Sequence, residues 1–315
     1  MKVWFERGLA FLRGPAGGAL RVALALVAVG WMALKLDLRV AIAALAQLPI
    51  WCPLGATVAM FASSAFASVR WALLLEDAGL PRPSWHDAFR TTLEGASVGL
   101  LPTGLAGDLV RAMNVPAPTG RASGIVSVLL VDRLAGLVGL ALVASLAVVA
   151  KAATTATPSS TVEWCIASLG AGLVVAAIAA QALSVRDRAP SSSLRRLGRR
   201  AASVAALSLG TQGSISVAIA TIVHAVHGPA SVLEVLVRAP FVILATFVPV
   251  TPAGVGQRDL VFALTYRDLG LTPEGAVAAS LAWLGCGLFV ATAGIGSLVR
   301  RRKANEGLEH RETKP

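Results

Sequence analysis

Two stretches decide the fold. The first reads Ser97-Val-Gly-Leu-Leu-Pro102-Thr-Gly104-Leu-Ala-Gly107-Asp108-Leu-Val-Arg111, and the second Thr246-Phe-Val-Pro249-Val-Thr-Pro252-Ala-Gly254-Val-Gly256-Gln-Arg258-Asp259. Each is an apolar run that meets Pro and Gly and then carries an acid and an Arg. They lie about 150 residues apart, Pro102 against Pro252, one in each half of the chain. Interruptions of this kind at matching places in two halves are a pointer to the binding site of a membrane transporter.

The surrounding sequence sets the solvent. Of the 315 residues 56% are hydrophobic and 14% charged, against about 25% charged in a soluble domain. A helix needs about 20 apolar residues to cross the hydrocarbon core. Six runs qualify: Ala19–Leu36, Ile50–Leu75, Ser123–Ala150, Val162–Ser184, Ala201–Val226 and Pro273–Val299. Two shorter runs, Ala88–Leu101 and Ser231–Val250, lead into the broken stretches. Lipid admits only helices and closed barrels, so the expected fold is an all-α polytopic bundle of about six spans and two broken helix pairs.

Charge gives the orientation. Arg186, Arg188, Arg195, Arg196, Arg199 and Arg200 crowd one loop, and Arg300–Lys303 follow the last run, whereas Lys151–Thr161 holds a single Lys. Short basic loops stay cytoplasmic. Both termini are therefore expected inside, in a bacterial inner membrane. Residues 1–18 form a cytoplasmic segment that leads into an uncleaved first span, because no small-residue cleavage site closes the run. Residues 19–303 form one transmembrane domain, and 304–315 a charged tail expected to be disordered. Threading the runs gives the order span, span, broken pair, span in 19–150, and the same order with opposite orientation in 162–299. The broken pairs are either re-entrant or full spans.

The net charge of +11 is explained by residues that flank spans and face anionic lipid, so nucleic acid is not an expected partner. Cys52, Cys165 and Cys286 lie in or beside spans without metal-ligand spacing and read as small core residues. His224 and His227 are three apart, with no nearby carboxylate or thiol to complete a metal site. No cofactor and no metal are expected.

Ionisable groups at membrane depth cost about 2.5–3.5 kcal/mol each on insertion scales and are functional candidates by default. Asp132 and Arg133 lie about ten residues into their span. Neighbours on a helix point about 100° apart, so each requires its own partner. Asp108 and Arg111 are three apart and can pair. Glu94, Arg70, Arg238, Arg258 and Asp259 complete the set. Two readings stand: the charges neutralise one another and lock the bundle, or they line a polar cavity for an anionic headgroup. Helix restarts after Pro102-Thr-Gly104 and Pro252-Ala-Gly254 favour the second reading, since free N–H groups at helix starts attract anions. Gly104, Gly107, Gly254 and Gly256 let backbone approach a ligand.

These residues carry a resemblance. Arg70-Trp71…Leu74, Pro102…Gly107-Asp108…Arg111-Ala112, Asp132-Arg133-Leu134…Gly136-Leu137 and Pro252-x-Gly254-x-Gly256…Asp259 together resemble the lysylphosphatidylglycerol-synthase transmembrane region, or flippase-like domain. The resemblance spans roughly residues 15–300. It implies a polytopic protein that moves or handles membrane lipids, without catalysis of its own. Asp108 and Asp259 stand where the family pattern leads one to expect Glu, one methylene longer. No aminoacyltransferase domain is expected, because the sequence stops about fifteen residues after the last run. The implied function is an anionic phospholipid or polyprenyl-lipid translocase. Its rivals are a membrane transferase and a non-catalytic scaffold for a lipid-modifying partner enzyme.

Overall fold

The structure is a computed structural model that describes residues 38–99, 106–115, 122–154, 192–228, 232–247 and 257–312. Among them every regular element is helical: α1 Leu38–Ala46, α2 Trp51–Asp77, α3 Trp85–Gly99, α4 Ala106–Met113, α5 Ala122–Thr154, α6 Ser192–His227, α7 Val232–Phe247, α8 Gln257–Tyr266 and α9 Pro273–Glu312, with a 3₁₀ turn at Arg267–Leu269. Four segments are long and apolar enough to cross a membrane: Trp51–Asp77, Gly124–Thr154, Arg200–His227 and Pro273–Val299. They coincide with four of the six expected runs. Ala19–Leu36 and Val162–Ser184 lie outside the described residues, as do Pro102, Gly104, Pro252, Gly254 and Gly256.

Helix α5 shows how sequence sets the faces. Val128, Asp132, Ala135, Leu140, Val143, Ala144, Ala147, Val148 and Lys151 are buried, while Val126, Leu130, Leu134, Leu146 and Val149 are exposed. The buried set recurs every three to four residues, which places it on one stripe of a 3.6-residue helix. The outer face is apolar and the inner stripe holds an acid and a Lys. That is the arrangement of a helix whose outside is lipid.

The halves are inverted relative to one another. α2 and α6 pack along their length. Cys52 lies by Thr221, Phe66 by Gly210, Arg70 by Ser208 and Glu76 by Arg200, so one number rises as the other falls and the helices are antiparallel. Exchanging α2 with α6, α3 with α7, α4 with α8 and α5 with α9 maps each substantial packing pair among these eight helices onto another. For example, α9 on α3 becomes α5 on α7. This reciprocity is that of an inverted-topology repeat.

The broken stretches are short helix pairs. α3 stops at Gly99 and α4 starts at Ala106; α7 stops at Phe247 and α8 starts at Gln257. At 1.5 Å per residue, α4 and α8 are about 12 and 15 Å long, too short to cross a core of about 30 Å. In each pair the two helices pack on each other. Close approach in the first pair depends on Gly95: a Cβ there would stand 2.8 Å from the Gly107 carbonyl oxygen and 3.2 Å from Arg111 Cγ.

Two segments differ from the reading of composition. α9 continues as helix to Glu312, into the segment 304–315 assigned to a disordered tail. Its Ala304, Leu308, Arg311 and three Glu favour helix. Lys151, grouped with an outer loop, is the buried last turn of α5 and lies 3.5 Å from Glu234 of α7.

Candidate functional site

The first cluster forms where α2, α4, α5 and α6 converge. Asp132, 6% exposed, accepts from Arg70 Nε at 2.8 Å and from Arg111 Nη1 at 3.1 Å. Arg70 Nη1 donates to Ser208 Oγ at 3.1 Å, and Ser208 donates in turn to the Val204 carbonyl at 2.7 Å. Arg133, one residue on, takes its own acid, as the 100° step requires. Its Nε donates to Asp108 Oδ2 at 2.9 Å and its Nη2 reaches the same oxygen. Asp108 and Arg111 are only loosely paired, at 3.9 Å. Three arginines thus share two aspartates through charge-assisted bonds, with Arg111 and Asp132 the hinge between them.

Register explains the convergence. Gly139 of α5 sits where a Cβ would meet the Ser208 backbone, so α5 and α6 approach closely and bring Ser208 beside Arg70. Trp71, Leu74, Leu75, Val128, Ala135 and Val204 form the apolar wall around the charges. The Arg111 guanidinium stacks 4.3 Å above the Trp71 ring, a cation–π contact strengthened by exclusion of water.

Glu94 of α3 is fully buried. It accepts from Ser297 Oγ of α9 at 2.7 Å and from Asn114 Nδ2 at 3.4 Å, and Arg90 Nε lies 3.7 Å away. A cavity of about 230 Å³ opens beside it, between the end of α2, the Pro81–Pro83 loop, α3 and α4. Arg82, Asp87, Arg90, Thr91, Arg111 and Asn114 are its polar lining.

Local sequence builds this corner. α2 ends on Gly79 at φ +69°. Leu80 N–H reaches the Leu75 carbonyl and Gly79 N–H the Glu76 carbonyl, each at 3.0 Å, which is a Schellman end sealed by buried Leu75 and Leu80. Pro81 and Pro83 stiffen the loop. Ser84 then caps α3: its Oγ accepts from Asp87 N–H at 3.1 Å and donates to Asp87 Oδ2 at 2.6 Å, a serine N-cap.

The second cluster joins α8 to α9. Arg258 Nε donates to Ser280 Oγ at 2.6 Å, Ser280 donates to Asp259 Oδ1, and Arg258 Nη2 lies 3.5 Å from the same oxygen. Arg258 Cζ sits 5.4 Å above Trp283. Arg258 and Asp259 are 4% and 3% exposed. Arg238 donates instead to the Glu234 carbonyl of its own helix, at 3.2 Å.

The structure therefore unites Arg70, Asp108, Arg111, Asp132 and Arg133, ties Glu94 to the end of α4 through Asn114, and gathers Arg258 and Asp259 into a separate set. Trp71, Arg90, Asn114, Ser208, Ser280, Trp283 and Ser297 escaped the reading of sequence as site residues. One signal was available: Ser208, Gln212 and Ser216 recur every four residues in an apolar run, and all three are buried. Cys52 and Cys286 are free thiols buried in the larger core, as expected of small core residues.

The described arrangement is that of a multi-pass membrane protein with a charged interior. No curated protein matches the chain in sequence. The family model for the lysylphosphatidylglycerol synthase TM region matches residues 18–294, most of the 315-residue chain, so the chain belongs to that family of membrane proteins related to lipid handling.

Proposed function

We propose that the protein translocates a lipid with an anionic headgroup between leaflets of a bacterial inner membrane, with both termini cytoplasmic and without covalent chemistry of its own. The observation that carries this reading is the buried cluster Arg70–Asp132–Arg111 with Arg133–Asp108. Inserting five charges into membrane helices is expensive, and a bundle can be locked as well or better by apolar packing. Retaining them suits a headgroup that must leave water. Arginine forks recognise phosphate and carboxylate in two-pronged fashion. Headgroups pass along the polar interior while the tails stay in lipid beside the apolar outer faces. Asp132, Asp108 and Glu94 hold the arginines in place and exchange them with the passing anion.

The test is leaflet exchange of fluorescent phosphatidylglycerol and of a polyprenyl-phosphate analogue in proteoliposomes, read with an impermeant quencher. Arg133 is the variant of choice, because its side chain is 37% exposed and its loss spares the core. Exchange by the native chain and at least a tenfold loss in Arg133→Gln is the expected result. Folded protein that moves neither lipid contradicts the proposal and favours a scaffold for a lipid-modifying partner enzyme. The internal neutralisation of the Arg258–Asp259 set is the observation on that side.

A further inference from the structure

Helix α6 carries a polar row that continues past the first cluster. Ser208, Gln212 and Ser216 stand one turn apart on it and are 0%, 3% and 0% exposed. Ser208 serves Arg70. Gln212 Oε1 and Ser216 Oγ are buried and have no hydrogen-bond partner among the described residues. A hydroxyl in a helix usually bonds the carbonyl one turn back, and Ser208, Thr211 and Thr221 of this helix all do so. Ser216 does not. A buried polar group without a partner is unfavourable, and the bilayer supplies no water to complete it. Leu and Ala at these two places would avoid that cost.

The row lies where the two halves meet. α2 and α6 are equivalent helices of the two repeats, packed antiparallel. Their membrane-crossing segments, Trp51–Asp77 and Arg200–His227, are centred close to Ser64 and Gly213. The contacts of Cys52 with Thr221 and of Phe66 with Gly210 lay those centres side by side. Equivalent helices that cross centre to centre hold the pseudo-two-fold axis between them, at the bilayer midplane, the level at which inverted-repeat transporters handle their substrate. Ser63 of α2, 6% exposed, stands at that level, opposite Gln212 by the same register. From the Arg200 end the seam between α2 and α6 runs Glu76–Arg200, Arg70–Ser208, Phe66 on Gly210, then Ser63 with Gln212, then Ser216.

Gln212 Oε1 and Ser216 Oγ are closed off in this conformation. They gain partners when the seam opens, and rocking of one repeat against the other is how inverted repeats alternate access. An amide and a hydroxyl both donate and accept, so an opened row can solvate the hydroxyls, esters and water of a headgroup while its charge stays with the arginines. We infer that the α2–α6 seam is the passage of the headgroup across the midplane: it opens in a second conformation, and Ser63, Gln212 and Ser216 then line it. The inference rests on the translocase reading and gives it a route, from the Arg70–Asp132–Arg111 cluster past Phe66 and along α6.

The experiment has two arms, both on the full chain. In the first, a membrane-impermeant maleimide is applied to proteoliposomes of Ser216→Cys and of Ala218→Cys. Both positions are 0% exposed, but Ala218, two residues and about 200° on, faces the larger core. The native chain, with its three cysteines, sets the background. The Ser216→Cys thiol is expected to react at least tenfold faster than the Ala218→Cys thiol. Equal rates, or no reaction above background at either, overturn the inference. In the second arm, Gln212→Leu combined with Ser216→Ala is compared with the native chain. Exchange of phosphatidylglycerol is expected to fall at least tenfold while the unfolding temperature in detergent rises by about 2 °C. Native exchange overturns the inference, as does a lowered unfolding temperature, which would mean that both groups are paired inside the bundle. Exchange by the native chain without labelling of Ser216→Cys removes this inference alone. Labelling of Ser216→Cys in a chain that moves no lipid removes the translocase reading, and with it the cargo, while the opening of the seam stands.

Discussion

Two arginine–aspartate–serine clusters, each stacked on a tryptophan, are finished differently. On α8 and α9, Arg258 is bound by Ser280 through Nε and by Asp259 through Nη2, and is stacked on Trp283. On α4, Arg111 is bound by Asp132 and stacked on Trp71, two of its nitrogens have no hydrogen-bond partner among the described residues, and the residue lines a cavity. The second cluster is a closed internal clasp. The first extends to Arg70, Ser208, Arg133 and Asp108 and reaches the cavity lining. Similar chemistry on non-equivalent helices has thus become a lock in one place and an open site in the other.

The largest effect should come from cutting the first cluster at its hinge. Asp132→Asn leaves Arg70 and Arg111 buried with no full counter-charge, and breaking a buried pair costs about 3–5 kcal/mol. A fall of that size in unfolding free energy, from denaturant titration in detergent, is expected. An unchanged value would mean that Asp132 does not hold the arginines.

Helix approach comes next. In Gly139→Val the new side chain meets the Ser208 backbone, and overpacking costs about 1–3 kcal/mol. Lipid exchange should fall with stability, because α5 and α6 set Asp132 and Ser208 around Arg70. A variant as stable and active as the native chain would break the claim that this contact sets the register.

The clasp sharpens the comparison. Ser280→Ala removes the bridge between Arg258 and Asp259, at about 1–3 kcal/mol for buried groups left short of a partner. Thermal unfolding should drop while exchange per folded molecule stays near native. Loss of exchange without loss of stability would make the second cluster a site as well. The smallest effect belongs to Arg200, which pairs with Glu76 and Asp77 at 40% exposure. Arg200→Gln should cost under about 1 kcal/mol, and a larger cost would give this helix-end pair a role that its exposure does not suggest.

Much of this was legible in the sequence. Apolar runs gave four membrane-crossing segments to within a few residues, since a span must be long and continuous. The Pro- and Gly-bearing stretches fall between α3 and α4 and between α7 and α8, and the cost of charge at depth singled out Asp132, Arg133, Asp108 and Arg111. The 100° step told that Asp132 and Arg133 have different partners. What stayed hidden depends on register between distant helices. Nothing local in Ser208 says that antiparallel packing of α2 and α6 sets it opposite Arg70, 138 residues away. Nothing in Ser297 says that it reaches Glu94, 203 residues away. The expectation of one shared set gave way to two because Arg258 and Asp259 find Ser280 and Trp283 close by on α9. Arg90 was overlooked because an Arg near a helix start reads as surface, whereas here the cavity runs beneath it.

The most direct test is a matched pair: lipid exchange in proteoliposomes by Asp132→Asn and Asp259→Asn, each normalised to folded protein. Each substitution removes one buried carboxylate charge from one cluster. The expected result is at least a tenfold loss of exchange in Asp132→Asn and near-native exchange in Asp259→Asn. Equal loss in both, or loss in Asp259→Asn alone, would contradict the division into an open site and a closed clasp.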